Sequence, residues 1–474
     1  VKFSILWFIF ILTGAGLLGA ADAIHANDPE IVVVDQSAVS NFPDGVKFLI
    51  HATSPDEIVE IRVYIKKLGQ SSRSMYRVLQ FEPGTDVTGE TLIPSGSGGE
   101  YIPPGTRIEY SFEIKDAADR FRQTDGQIFV YLDHNLEWKT LSDGLITLYY
   151  GDSVIEGRAE AMMQAAQETL ERMGPVLGID PSEPLHIITY GNYELMKPAL
   201  PFRAQAVSDG LVTQGTAFSE ERVLLVLSQG GDYLGTTSHE FTHLLVADAA
   251  DRATAKVPAW LNEGLAEYGN IEPGEEYDRY LSRAIEDGRL RPLWFQGTFS
   301  GTPSEIITAY GQGKSVVEFM LATYGDQKMA DLITALKRTF DIDAALEETY
   351  GFDQYGLDTE WRRSLGLDPL PPPEDRVTPQ QVTPMAPATA APTATAAPAV
   401  APQVTPQPLP TDTPNPGSSQ ASPGCSPPAR GGNVMTDLGV LTLLAGPLAM
   451  LSARGIRRRR RPKAPAPSPW SFRY

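Results

Sequence analysis

The chain has 474 residues with 42% hydrophobic content, material for two or three domains, but 39 prolines and 42 glycines mean that part of it does not pack. A net charge of −20 argues against nucleic acid as a partner. With one cysteine there is no internal disulfide, so an exported chain would rely on burial and bound metal for its stability.

Residues 1–23 read as a secretory signal peptide. An apolar run from Phe3 to Leu18 follows Lys2, and Ala21 and Ala23 form a small-x-small cleavage pattern. The alternative is an uncleaved N-terminal anchor. Either way the body of the protein is expected outside the cytoplasm.

Residues 27–150 are dominated by period-2 alternation, in runs such as Val46–Ile50, Val59–Tyr64, Ile108–Ile114 and Gly126–Tyr131, separated by turn clusters such as Ser54-Pro55-Asp56. This pattern predicts six or seven short antiparallel strands in an immunoglobulin-like or fibronectin-like sandwich. No chemistry is visible here, so a spacer or binding module is expected, with His51 and His134 as surface or packing residues. The pattern shifts at Gly151, which marks the expected start of a second domain, 151–368. Val154–Met173 reads as a helix, while Leu185–Tyr190 and Val223–Leu227 read as strands. His186, alternating with Ile187 on a strand, reads as a structural histidine.

The stretch His239-Glu240-Phe241-Thr242-His243 carries the chemistry. On a helix the two histidines lie one turn apart on one face, so both imidazoles can reach one ion while Glu240 points at a water in the open position. Glu263, in the apolar helical run Trp260-Leu261-Asn262-Glu263-Gly264-Leu265-Ala266-Glu267-Tyr268 introduced by Pro258, supplies a third ligand, and two histidines plus a glutamate are a catalytic zinc set. Glu267, one turn on, suits a carboxylate that accepts the ring N–H of His239, and Asn262 is placed beside it as a further supporting residue.

These two motifs resemble those of the gluzincin metallopeptidases, which include thermolysin and the zinc aminopeptidases, and most closely the bacterial peptidase MA-like family. The similarity continues into Ala309-Tyr310-Gly311-Gln312-Gly313 and Leu321-Ala322-Thr323-Tyr324-Gly325, covering roughly Asp152 to Leu367. The resemblance implies an α+β metallopeptidase domain in which a mixed sheet is stacked on helices, Zn2+ as cofactor, and a peptide or protein as substrate. Helical runs at Tyr277–Ile285, Gln312–Tyr324, Lys328–Phe340, Asp343–Glu348 and Leu357–Ser364 would form the lobe that closes the cleft.

In the mechanism so implied, zinc on His239, His243 and Glu263 activates a water and polarises the scissile carbonyl, and Glu240 takes the water's proton and passes it to the leaving amine. Thermolysin-like enzymes add a downstream histidine as second electrophile, but no histidine follows His243. That points to a tyrosine. Tyr310 is the choice, in a stretch expected to open a helix, with Tyr268, Tyr277 and Tyr280 as rivals. The Gly-x-Met-Glu-Asn segment of the zinc aminopeptidases does not precede His239, which favours an endopeptidase whose extended substrate adds to the edge of a Gly210–Ser228 hairpin. A catalytically silent zinc-binding adhesion module and a structural surface protein are the alternatives; the retention of Glu240 argues against the first.

Residues 369–434 are rich in Pro, Thr and Ala and predict a disordered stalk. Within 435–461, an apolar run from Leu438 to Ala453 precedes Arg457–Arg461, and residues 462–474 form a tail. With Cys425 ahead of it, this arrangement resembles the C-terminal sorting signals of bacterial surface proteins. It is expected to anchor the chain in the membrane or sort it to the cell surface.

Overall fold

The computed structural model describes residues 30–70, 74–96, 101–201 and 214–372. The signal peptide, nearly all of the stalk, the apolar segment with its arginines, the tail and Cys425 lie outside the described residues. Among those described, no helix is long and apolar enough to cross a membrane.

The first seven strands are β1 (Val32–Asn41), β2 (Gly45–Lys67), β3 (Ser74–Val78), β4 (Gly84–Pro94), β5 (Arg107–Asp116), β6 (Phe121–Gln123) and β7 (Gln127–Val130). All pair antiparallel, as alternation predicts, but they form one hydrogen-bonded sheet instead of the two separate sheets of an immunoglobulin-like sandwich. The reason is β2. Its first half pairs β1 and β4, and its second half pairs β3 and β5. Ser54-Pro55-Asp56, read as a turn, is carried inside this strand. The buried positions run Val46, Phe48, Ile50, Ala52 and Ile58, then switch parity to Ile61, Val63 and Ile65. A register shift between Ile58 and Glu60 absorbs the switch, since one extra residue moves every following side chain to the other face.

The second sheet has the order β11-β12-β10-β9-β8, with β8 (Trp138–Asp143), β9 (Ile146–Gly151), β10 (Leu185–Tyr190), β11 (Gly215–Phe218) and β12 (Val223–Leu227). It is mixed: β10 runs parallel to β9 and β12, while β8 and β11 add antiparallel at the two edges. The hairpin β8–β9 therefore belongs to this sheet, and the change of hydrogen-bonding partner falls between Val130 and Trp138, ahead of the boundary expected at Gly151.

This sheet is buried on both faces. Leu148, Leu185, Ile187, Leu224 and Val226 join the helices in one apolar core, whereas Ile188, Tyr190, Val223, Leu225 and Leu227 join the first sheet in another. Polar contacts close the seam: His186 Nδ1 lies 2.8 Å from Gly105 O, Gln70 N–H donates to Glu220 O at 2.9 Å, and Lys67 pairs with Glu221 at 2.9 Å. Burial lowers the pKa of His186 to about 4, as suits a neutral structural histidine. His51, by contrast, pairs with exposed Asp86 at 2.7 Å.

The helices on the other face are α1 (Glu156–Leu177), α3 (Tyr233–Ala250), α4 (Ala259–Gly269), α5 (Glu275–Glu286), α6 (Pro303–Tyr324), α7 (Asp326–Thr339), α8 (Ile342–Tyr350) and α9 (Gln354–Ser364), while the short α2 (Tyr193–Met196) packs into the core of the first sheet through Met196. Helix α6 starts well before Tyr310. Pro303 occupies its first turn and Thr302 with Glu305 forms a capping box, so Tyr310 sits inside the helix instead of opening it.

Candidate metal centre

Helix α3 is buried on nearly every side, which its sequence permits because Thr237, Ser238 and Thr242 return their hydroxyls to carbonyls one turn back. Helix α4 crosses it closely. A Cβ on Gly269 would lie 2.2 Å from Thr242 Oγ1. The first turn of α4 is tied down from outside, with Ala259 N–H donating to Gly297 O at 3.0 Å and Trp260 N–H to Gln296 O at 3.2 Å. The crossing brings His239 and His243 of α3 against Glu263 of α4.

Three atoms meet there. His239 Nε2 and His243 Nε2 are 3.2 Å apart, and Glu263 Oε2 lies 3.5 Å from the first and 3.4 Å from the second. All three residues are buried, and Glu263 Oε2 has no hydrogen-bond partner among the described residues. Ligands on a tetrahedral zinc stand about 3.3 to 3.6 Å from one another, given metal–ligand distances of about 2.0 to 2.2 Å. The triangle therefore fits a zinc ion, and an orphaned carboxylate oxygen facing two imidazole nitrogens is the donor set such an ion would satisfy.

The surrounding residues hold this triangle. His243 Nδ1 lies 3.1 Å from Asn262 Oδ1, which fixes Nδ1 as the protonated nitrogen and leaves Nε2 bare. Glu267 Oε1 stands 2.9 Å from His239 Nδ1, close enough to set the ring although the pair is off the line of a proper hydrogen bond. In the metal-free protein burial pulls the His239 pKa down, but the carboxylates of Glu267 and Glu263 outweigh it and the net shift is upward. For Glu263 burial works upward, and the His243 and His239 rings reverse it, holding the carboxyl at about 2.

Glu240 is 1% exposed and lies beside the ligands without joining them. Its Oε2 accepts from the backbone N–H of Ala217 on β11 at 3.1 Å, and its Oε1 is buried without a partner among the described residues.

Of the tyrosines, Tyr310 comes closest to the sequence expectation. Its ring centroid is 6.3 Å from that of His239, and it is held between Tyr277, stacked at 5.6 Å, and Phe299, edge-on at 5.2 Å. Burial and then the nearby Glu263 raise its pKa well above the ordinary phenol value, so it stays protonated and able to donate. Tyr268 lies under Arg172 and Tyr280 under Arg279, and both have these contacts to account for them. Tyr277 shares the Tyr310 site. Sequence reasoning missed Phe299 and the Ala217 amide; neither has a spacing signal, because the first lies in a loop and the second is backbone.

Helix α6 reaches α4 by backbone contact. A Cβ on Gly264 would come within 2.4 Å of Gly313 O, and one on Gly313 within 2.6 Å of Trp260 O. The Gly264 and Gly313 of the two motifs therefore mark a close helix crossing, with Val317 of α6 also against Gly264, and it brings Tyr310 up to the candidate ligands.

Residues 165–366 match the family model of the Peptidase MA superfamily. That match, with the buried His–His–Glu set inside it, supports a gluzincin-like zinc peptidase, a hydrolase of peptide bonds. No curated protein matches the chain. Among solved structures, it is similar to wild-type OgpA from Akkermansia muciniphila at 18% identity and a TM-score of 0.17, covering 23% of this chain and 31% of that one. It thus spans less than a third of the length of that protein. It is also similar to an M1 zinc metallopeptidase from Deinococcus radiodurans, at 12% identity and a TM-score of 0.28, with 69% of this chain and 90% of that one covered. For leukotriene A4 hydrolase from Saccharomyces cerevisiae the identity is 11% and the TM-score 0.30, covering 73% of this chain and 69% of that one. Likenesses this remote say nothing about substrate.

Proposed function

We propose that the chain is an exported, surface-attached zinc metallopeptidase that cleaves within polypeptides. The observation that carries the peptidase reading is the closed triangle of His239 Nε2, His243 Nε2 and Glu263 Oε2 with the buried carboxylate of Glu240 beside it. The three residues of the triangle would hold the zinc. Bound there, the ion would supply Lewis acidity to a water and to the scissile carbonyl.

The chain's own groups would do the rest. Glu240 has one oxygen free in the site and is the base that takes a proton from the attacking water, then returns it to the leaving nitrogen. Tyr310, kept protonated by burial, donates to the oxyanion as it forms. Asn262 and Glu267 orient the two imidazoles. Among the described residues strand β11 is an edge strand, and an extended substrate segment pairing there would be laid beside Glu240. Export and attachment rest on the apolar run near the N-terminus and on the stalk, apolar segment and arginines of the C-terminal region. The endopeptidase reading rests on the lack of an aminopeptidase-type Gly-x-Met-Glu-Asn segment before His239.

The test is metal content together with hydrolysis of an unfolded protein. Protein purified from metal-replete medium should carry about one zinc per chain. Glu240→Gln should keep that zinc and lose activity by about 100-fold to 10,000-fold. Zinc content near zero, or unchanged hydrolysis in Glu240→Gln, would refute the assignment.

A further inference from the structure

We propose that the backbone amide of Ala217, on edge strand β11, is the positioning group for the Glu240 carboxylate, and that Gly215 is present to let the strand come close enough. The inference deepens the peptidase reading and rests on it. Leu227 N–H donates to Gln214 O, so the ladder bonds between β11 and β12 fall at Gln214 and Thr216, the alternate residues. Ala217, opposite Leu224, then turns its N–H away from β12, to the open side of the sheet. An edge-strand N–H normally faces water. Here it meets Glu240 Oε2 at 3.1 Å.

Two further observations make the contact a built one. A Cβ on Gly215 would lie 2.8 Å from Glu240 Cγ and 2.7 Å from Thr236 Cγ2, so any side chain at 215 would push β11 off α3 at Glu240 itself. The second oxygen, Oε1, is buried with no partner among the described residues. One oxygen is thus anchored and the other is left as the free acceptor. A carboxylate anchored at one oxygen by a charge-assisted bond cannot rotate away from the water it must deprotonate. The strand where a substrate would pair and the base that would act on it are therefore set by the same edge.

Hydrogen exchange at the Ala217 amide reads the contact without metal or activity. In metal-free protein that amide should exchange on the order of tenfold slower than in Glu240→Ala, while Glu240→Gln, whose side-chain carbonyl still accepts, should keep most of the protection. Equal exchange in wild type and Glu240→Ala overturns the proposal. In the second arm, Ala217→Pro deletes this N–H and no ladder bond, a substitution edge strands accept. Zinc content and KM should be unchanged while kcat falls on the order of tenfold. An unchanged kcat, or a loss confined to KM, overturns positioning in favour of a strand amide that serves the substrate alone. If wild-type protein shows exchange protection but no zinc-dependent cleavage, the contact stands and the peptidase reading falls, taking the catalytic role of the contact with it.

Discussion

The two faces of the five-stranded sheet are equally apolar and differ in what they carry. On one, Leu185, Ile187, Leu224 and Val226 pack helices that bring two histidines, three glutamates and a tyrosine to one point. On the other, Ile188, Tyr190, Val223, Leu225 and Leu227 pack the seven-stranded sheet, with no metal-ligand cluster among the described residues there. Alternate residues of the same strands serve both, since side chains on a strand point to opposite faces in turn. The chemistry thus depends on a sheet whose second face has to be covered by something inert.

Removing the cover is the strongest way to break this comparison. A chain beginning at Gly151 loses β8, most of β9 and the whole apolar layer over Ile188, Tyr190 and Leu225. Burial of each such side chain is worth about 1.5 to 3 kcal/mol, so exposing Ile188, Tyr190, Val223, Leu225 and Leu227 together would cost about 7 to 15 kcal/mol, comparable to the ~5 to 15 kcal/mol that keeps a domain folded. The truncated chain should be insoluble or lack a cooperative melt. A soluble, zinc-binding product would show that the two faces are energetically independent.

On the chemical face, Tyr310→Phe should keep zinc and fold and lose about 100-fold to 1,000-fold in kcat, with KM little changed, as expected for an oxyanion donor. Tyr277→Phe should lose far less. If their losses are reversed, the donor is Tyr277, whose ring stacks on Tyr310.

Glu267→Gln and Asn262→Ala should each weaken zinc binding by about 10- to 100-fold, measured by competition with a chelator. His186→Asn, on the other face, should leave zinc affinity unchanged and affect only the thermal midpoint.

The smallest effect is in pH. The raised His239 pKa contributes stability to the metal-free protein below the unfolded histidine value, and that contribution is lost as pH rises through the folded value. For Glu263, held at about 2, the contribution is present above the unfolded carboxyl value and lost as pH falls toward 2. Metal-free protein should therefore melt highest on the mildly acidic side of neutrality. Zinc must displace the His239 proton, so its affinity should climb as pH rises past the ordinary histidine range. A melting midpoint flat from pH 5 to 8 would mean that these charges are not coupled as their distances require.

The site was more legible in the sequence than the scaffold around it. His239, Glu240 and His243 are linked by helix periodicity, and Glu263 and Glu267 lie one turn apart on another helix, so short-range spacing was enough to group them. Strand partners are not encoded that way. The alternation in Trp138–Gly151 is the same whichever sheet the hairpin joins, and its membership was settled by pairing with Leu185–Thr189. Nor does alternation reveal that Ser54-Pro55-Asp56 lies inside one strand, because the register shift that accommodates it depends on β4 and β5. Tyr310 is a choice reached by elimination, and its place inside α6 is hidden from the sequence because Thr302-Pro303, the true helix start, lies well upstream of the family-like stretch.

The close crossing of α4 and α6 at Gly264 and Gly313 also sets a tolerance. A methyl added at Gly264 would meet Gly313 O at 2.4 Å and Val317 Cγ2 at 2.8 Å, and one at Gly313 would meet Trp260 O at 2.6 Å, so even that thickening would push apart the helices that carry Glu263 and Tyr310. The spacing between the Glu263 carboxylate and the Tyr310 phenol is thus set largely where the two backbones meet. A lineage or a designer seeking a wider cleft could not obtain it by enlarging side chains at this joint.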